Sequence, residues 1–249
     1  MELALDQTLL VAAALLAIAL GSIFKGITGV GLPILAVPMI ATFTSVADAV
    51  VLMVLPGLAA NALVILTHRK WHLLLEHKAF LVAGFLGGFF GTWLLSVMDD
   101  RSLKLLLVAW LGIYLVQYFS RRSGSHVFRI PRWLAGAFGG AAGTLQGAMG
   151  ISASVVGPYF HASGLARNRY AFCTAFTFLL FGAAQFMAMS QVSLLTTDRL
   201  SVGALAIIPT LVFTQLGIRI SRKISEKTFN RVLIVLFILM EIKLILDVL

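Results

Sequence analysis

Ten apolar runs dominate the chain, at residues 8–24, 32–43, 46–67, 76–97, 102–119, 132–149, 152–164, 168–189, 200–217 and 231–248. The longer ones reach the roughly 17–25 residues that an α-helix needs to cross a bilayer. The connections between them are too short to form a sizeable soluble domain. Of the 249 residues, 60% are hydrophobic and only 12% are charged, against about 25% charged in soluble domains. The lengths also exclude an outer-membrane barrel, whose strands alternate over about 10 residues. The reading is an all-α polytopic membrane protein.

A net charge of +9 would fit a nucleic-acid partner if the basic residues formed a patch. They do not. Fourteen of the 19 fall in four connections: Arg69, Lys70 and Lys78; Arg121, Arg122, Arg129 and Arg132; Arg167 and Arg169; Arg219, Arg222, Lys223, Lys227 and Arg231. That is the bias of cytoplasmic loops. The connections "MDDRSLK" (98–104) and "TTDR" (196–199) belong outside on the same rule, which makes Asp99 and Asp100 a solvated pair. The lone Cys173 lies in an apolar run and reads as a core residue. "MELALDQ" lacks the basic n-region of a signal peptide, so the first run is expected to stay in the mature protein.

These sides give runs 46–67, 76–97 and 102–119 one orientation and runs 168–189, 200–217 and 231–248 the opposite one. Each trio follows a pair of shorter, Gly-interrupted runs. The expected architecture is therefore two inverted-topology repeats, each a Gly/Pro-broken helix hairpin plus three transmembrane helices. Residues 1–119 form the first, 120–132 a basic cytoplasmic connector, and 133–249 the second. A competing topology makes each interrupted pair a single crossing and yields eight helices in parallel repeats.

The interruptions match in sequence. "KGITGVGLPILAVP" aligns with "QGAMGISASVVGP", so that Gly26 and Gly29 fall on Gly147 and Gly150, 121 residues apart, with Pro38 near Pro158. Irregular backbone survives at membrane depth only where it lines a cavity or is packed in protein. The helices are expected to break at 26–31 and 143–152, with Pro33 opening the next helix and Pro38 and Pro158 marking the interrupted segments. A helix N-terminus there presents bare amides and roughly half a positive charge. Paired broken helices in corresponding places point to a transporter site.

Lys25 lies beside the first break, where a lysine costs about 3 kcal/mol or more. No carboxylate is near it in sequence, and among the acids Asp48 alone reads as at all deep. Lys25 is thus a candidate counter-ion for an anion, or else snorkels to the surface. Its counterpart is Gln146. The candidate substrate-binding set is Lys25, Gly26, Thr28, Gly29, Gly31, Asn61, Gln146, Gly147, Gly150, Ser152, Ser154 and Gln185, with the amides of 26–31 and 147–152 as oxyanion donors. Each polar member could equally be a helix–helix hydrogen bond of about 1 kcal/mol. The motifs "GFLGGFFG" (84–91) and "GAFGGAAG" (136–143) read as close helix packing. His68, His72 and His77 lack a specific metal spacing, and no metal or cofactor is expected.

The glycine blocks at 21–38 and 143–158, the size and the basic gap resemble the sulfite exporter TauE/SafE family, also called TSUP transporters. The resemblance runs over residues 8–248 and is carried by Gly26, Gly29, Gly31, Pro38, Gly147, Gly150 and Pro158. The chain departs from it at Leu32, where many members have glycine, and at Ser152, which stands opposite Gly31. The resemblance implies a bacterial inner-membrane permease for small, typically sulfur-containing anions such as sulfite, sulfoacetate and related sulfonates. No G-x-x-x-x-G-K-[ST] loop is present, so the expected activity is secondary transport by alternating access. The expected partners are a small anion and the lipid bilayer, not nucleic acid; a coupling proton and a homodimer stay open. An anion channel of the same fold is the alternative. A polytopic membrane enzyme is the other, though it would need a deep nucleophile–base pair or acid dyad.

Overall fold

A computed structural model describes residues 2–29, 31–68, 71–120, 131–220 and 226–249. Among them the chain is helical, with no strand. The first half holds α1 (Glu2–Thr28), α2 (Leu32–Ala41), α3 (Val46–His68), α4 (Lys78–Val97, entered through a 3-10 turn at Trp71–His77) and α5 (Asp100–Ser120). The second holds α6 (Ala135–Met149), α7 (Ala153–Ala162), α8 (Arg167–Gln191), α9 (Thr197–Leu205), α10 (Ile207–Ile220) and α11 (Glu226–Val248). Arg69, Lys70, Arg121, Arg122, Arg129, Arg222 and Lys223, on which the charge argument leans, lie outside the described residues, as does most of the 120–132 connector.

Five stretches are long and apolar enough to span a membrane: Thr8–Thr28, Val46–Leu66, Trp71–Val97, Asn168–Gln191 and Thr197–Ile220. The last is one run in sequence and two helices in space. Its turn at Ala206 precedes Pro209, which has no amide hydrogen to bond back to Leu205.

Packing runs between the halves. α1 lies against α10, α4 against α6, α3 against α8 and α5 against α11. Where hydrocarbon surrounds helices, close van der Waals packing holds them together, and small residues permit it. Glycine forms the α4–α6 seam. A Cβ at Gly139, Gly143 or Gly147 would strike the carbonyl oxygens of Phe80, Gly84 and Gly88 respectively, and one at Gly87 or Gly91 those of Gly140 and Thr144. Gly26 and Gly217 make the equivalent contact between α1 and α10.

Both breaks are narrower than expected. α1 continues through Thr28 and α6 through Met149, leaving Gly29, Gly31 and Gly150–Ser152 outside the helices among the described residues. Gly29 (φ 79), Gly31 (φ 97) and Gly150 (φ 69) occupy left-handed conformations that suit glycine. The Gly29 amide donates to Lys25 O at 2.7 Å and the Gly150 amide to Gln146 O at 2.8 Å. Each break is thus a glycine-terminated helix end, followed at once by a new helix. Pro33 sits in the first turn of α2. Pro38 and Pro158 do not mark the breaks; they stand inside α2 and α7, where their missing amides forgo an internal bond. α2 packs back along α1, with Gly21 against Leu32 and Ala36.

The acids sort differently from the sequence reading. Asp48 is not deep. It sits in the first turn of α3, bonded to Ser45, and pairs with Arg199 at 2.6 Å. Asp100 accepts from the Val46 amide at 2.7 Å and pairs with Lys104 at 3.1 Å. Asp99 accepts from the Ser102 hydroxyl and amide, which lowers its carboxyl below the usual value. Glu241, which the sequence reading passed over, is half-buried in α11 beside Gly112 of α5.

Candidate functional site

A cavity of about 550 Å³, its opening included, lies where the two breaks approach α3 and α8. The first turns of α2 and α7 both line it, through Gly31–Ile34 and Gly150–Ala153. Gly31, the N-cap of α2, has no side chain to bond that helix, and the Ser152 side chain does not cap α7. By helix geometry the amides of Leu32, Ala153 and Ser154 have no acceptor within their helices.

The polar lining comes in two sets, one from each half. In the first, Lys25 on α1 is 5% exposed and its Nζ donates to Asn61 Oδ1 on α3 at 2.7 Å. Asn61 Nδ2 donates to Gly57 O at 2.8 Å, which fixes the carboxamide with its oxygen toward the lysine. In the second, Gln146 Nε2 on α6 donates to Gln185 Oε1 on α8 at 3.1 Å. Ser152 Oγ donates to Gln146 Oε1 at 2.7 Å. Gln185 Nε2 donates to the carbonyls of Gln146 (2.7 Å), which also accepts from the Gly150 amide, and Gly147 (3.2 Å), both in the last turn of α6. In both sets the break helix sends a side chain from four residues before the left-handed glycine to a carboxamide on the long helix.

Of the sequence-derived set, the cavity gathers Lys25, Gly31, Asn61, Gln146, Gly150, Ser152 and Gln185. Gly26 and Gly147 do not line it. They face α10 and α4, and their amides lie inside helices, away from the cavity lining. Thr28 is exposed and its hydroxyl donates to Phe24 O at 2.9 Å. Gly29 is exposed. Ser154 Oγ accepts from Trp110 Nε1 at 3.1 Å, tying α7 to α5. Gln215 is exposed on α10. His77 is buried against Tyr159 (3.1 Å) while His72 is exposed.

The apolar lining went unread in the sequence: Val50, Met53, Val54 and Leu58 of α3 and Phe178 of α8, with Gly57 and Gly182 between. A signal was there. Met53, Gly57 and Asn61 are spaced by four, and Phe178, Gly182 and Gln185 by four and three, so each stripe shares a helix face with its carboxamide.

Helices long and apolar enough to span a bilayer, two of them ending at the wall of a cavity that holds a few buried polar side chains, make this a multi-pass membrane protein. The chain belongs to the family described as Sulfite exporter TauE/SafE, whose profile matches residues 13–244. No curated protein and no solved structure matches it. Membership gives the protein a small-molecule substrate and a lipid environment.

Proposed function

We propose that the protein is a secondary transporter that moves a small anion, sulfite or an organosulfonate, across the bacterial cytoplasmic membrane by alternating access. One observation carries the reading: a buried lysine stands in the cavity on which the starts of α2 and α7 converge. Lys25 serves as counter-ion, since its only partner among the described residues is a neutral carboxamide. The Leu32 amide of α2 and the Ala153 and Ser154 amides of α7 act as oxyanion donors, with the positive ends of both helices behind them. Asn61, Gln146 and Gln185 orient the ligand.

Residues 1–119 and 133–249 act as two inverted repeats joined by a cytoplasmic connector. The exchanged packing of α1 on α10 and α4 on α6 supports this, as do the matching ends of α1 and α6. A site between two such units can open to either side when one rocks against the other.

The test is counterflow. Proteoliposomes preloaded with unlabelled sulfite should transiently accumulate labelled sulfite through the wild-type protein, and Lys25→Ala should abolish this while the purified variant stays folded. Uptake unchanged in Lys25→Ala defeats the counter-ion role, and flux without counterflow defeats the carrier.

A further inference from the structure

We propose that the cavity selects its anion by valence, taking singly charged oxyanions (a sulfonate, or sulfite in its hydrogensulfite form) over doubly charged ones, and that Gln146 sets this preference. The inference rests on the anion-site reading above and adds to it the charge of the ligand.

The two halves place matched side chains around one space, but not matched charges. Lys25 and Gln146 hold the same position relative to their glycine-terminated helix ends. Each donates to a carboxamide oxygen on the facing long helix, Lys25 to Asn61 and Gln146 to Gln185. Among the described residues that line the cavity, Lys25 alone is ionisable. A symmetric pair of lysines would have supplied two full charges.

This asymmetry discriminates because two energies scale differently. The cost of stripping water from an ion grows with the square of its charge, so a dianion pays about four times what a monoanion of the same size pays. The attraction of fixed site charges grows only with the first power of the ligand charge. The helix starts add partial charges that favour either valence. A site with one ammonium therefore favours the monoanion, and a second ammonium is the change that would offset the steeper cost of the dianion. Position 146 can hold one: Gln185 Oε1 already accepts a donor there, as Asn61 Oδ1 does opposite Lys25.

Methanesulfonate and sulfate share tetrahedral sulfur and similar size and differ by one charge. Calorimetric titration of the full-length protein in lipid nanodiscs should give at least about tenfold tighter binding for methanesulfonate than for sulfate. Gln146→Lys should shift that ratio toward sulfate by at least about tenfold. Equal binding of the two anions by the wild type, or a preference for sulfate, overturns the proposal, and so does a folded Gln146→Lys variant with an unchanged ratio. Should Gln146→Lys fail to fold, Gln146→Glu serves in its place. By placing a carboxylate in the cavity that holds Lys25 it should weaken methanesulfonate at least about tenfold, and unaltered affinity there overturns the proposal as well. A wild type that binds neither anion fails differently: it removes the anion-site reading itself.

Discussion

Lys25 Nζ lies 2.7 Å from Asn61 Oδ1, so the cavity's basic group is held in place before any ligand arrives. Its partner is neutral and is itself anchored to Gly57 O. A carboxylate at that position would neutralise the lysine permanently. The carboxamide orients it without cancelling its charge.

Asn61→Asp should therefore abolish anion binding without loss of fold. The substitution is nearly isosteric and gives Lys25 a fixed mate, which the anion would have to displace. A loss of at least about tenfold in affinity, or 1.4 kcal/mol, is expected by calorimetry with the purified variant still folded. Affinity equal to wild type would show that Lys25 does not meet the ligand.

The two breaks should respond unequally to alanine. Gly150 is left-handed but roomy, with a Cβ at ordinary distance from Val37 (3.6 Å) and Val50 (3.8 Å). Gly150→Ala should cost about 1–2 kcal/mol, from backbone strain alone. At Gly31 a Cβ would also lie 2.8 Å from both Ile34 Cδ1 and Phe24 Cε1, adding overpacking of about 1–3 kcal/mol. Unfolding monitored in detergent should rank Gly31→Ala below Gly150→Ala.

The glycine seam gives a control within one motif. Gly143→Ala should prevent α4 and α6 from meeting, because the Gly84 carbonyl occupies the space of its Cβ. Gly136→Ala, seven residues earlier on the same helix, puts its Cβ into open space and should change stability far less than Gly143→Ala, by no more than about 0.5 kcal/mol. Equal effects in a thermal melt would refute the seam.

The Gln146–Gln185–Ser152 network should be worth more than its single bonds. Ser152→Ala removes one donor, at about 1 kcal/mol for a hydrogen bond within a membrane bundle. Gln185→Leu removes three bonds, two of them to the carbonyls that close α6. A larger drop in midpoint is expected for Gln185→Leu, and the reverse order would place the anchor elsewhere.

Much of this was legible in the sequence because the constraint is severe. Few residues can interrupt a membrane helix, so the 121-residue offset marked both breaks, and Lys25 and Gln146 with them. Asn61 and Gln185 stood out as polar groups in greasy helices. What the sequence hid was direction. Gly26 and Gly147 look like loop glycines and are packing glycines, because close approach and irregular backbone favour the same residue. Ser154 reads like Ser152 until its turn of α7 aims it at Trp110. Glu241 was overlooked because nothing in its neighbourhood announces that Gly112 of α5 stands beside it.

The exchanged contacts carry one more consequence. α1 has its glycine partner on α10, and α6 has its own on α4, so neither half of the polypeptide owns both sides of these two seams. Two fragments made separately, 1–120 and 131–249, should find each other like interlaced fingers and co-purify. Either one expressed alone should be lost to the cell's quality control.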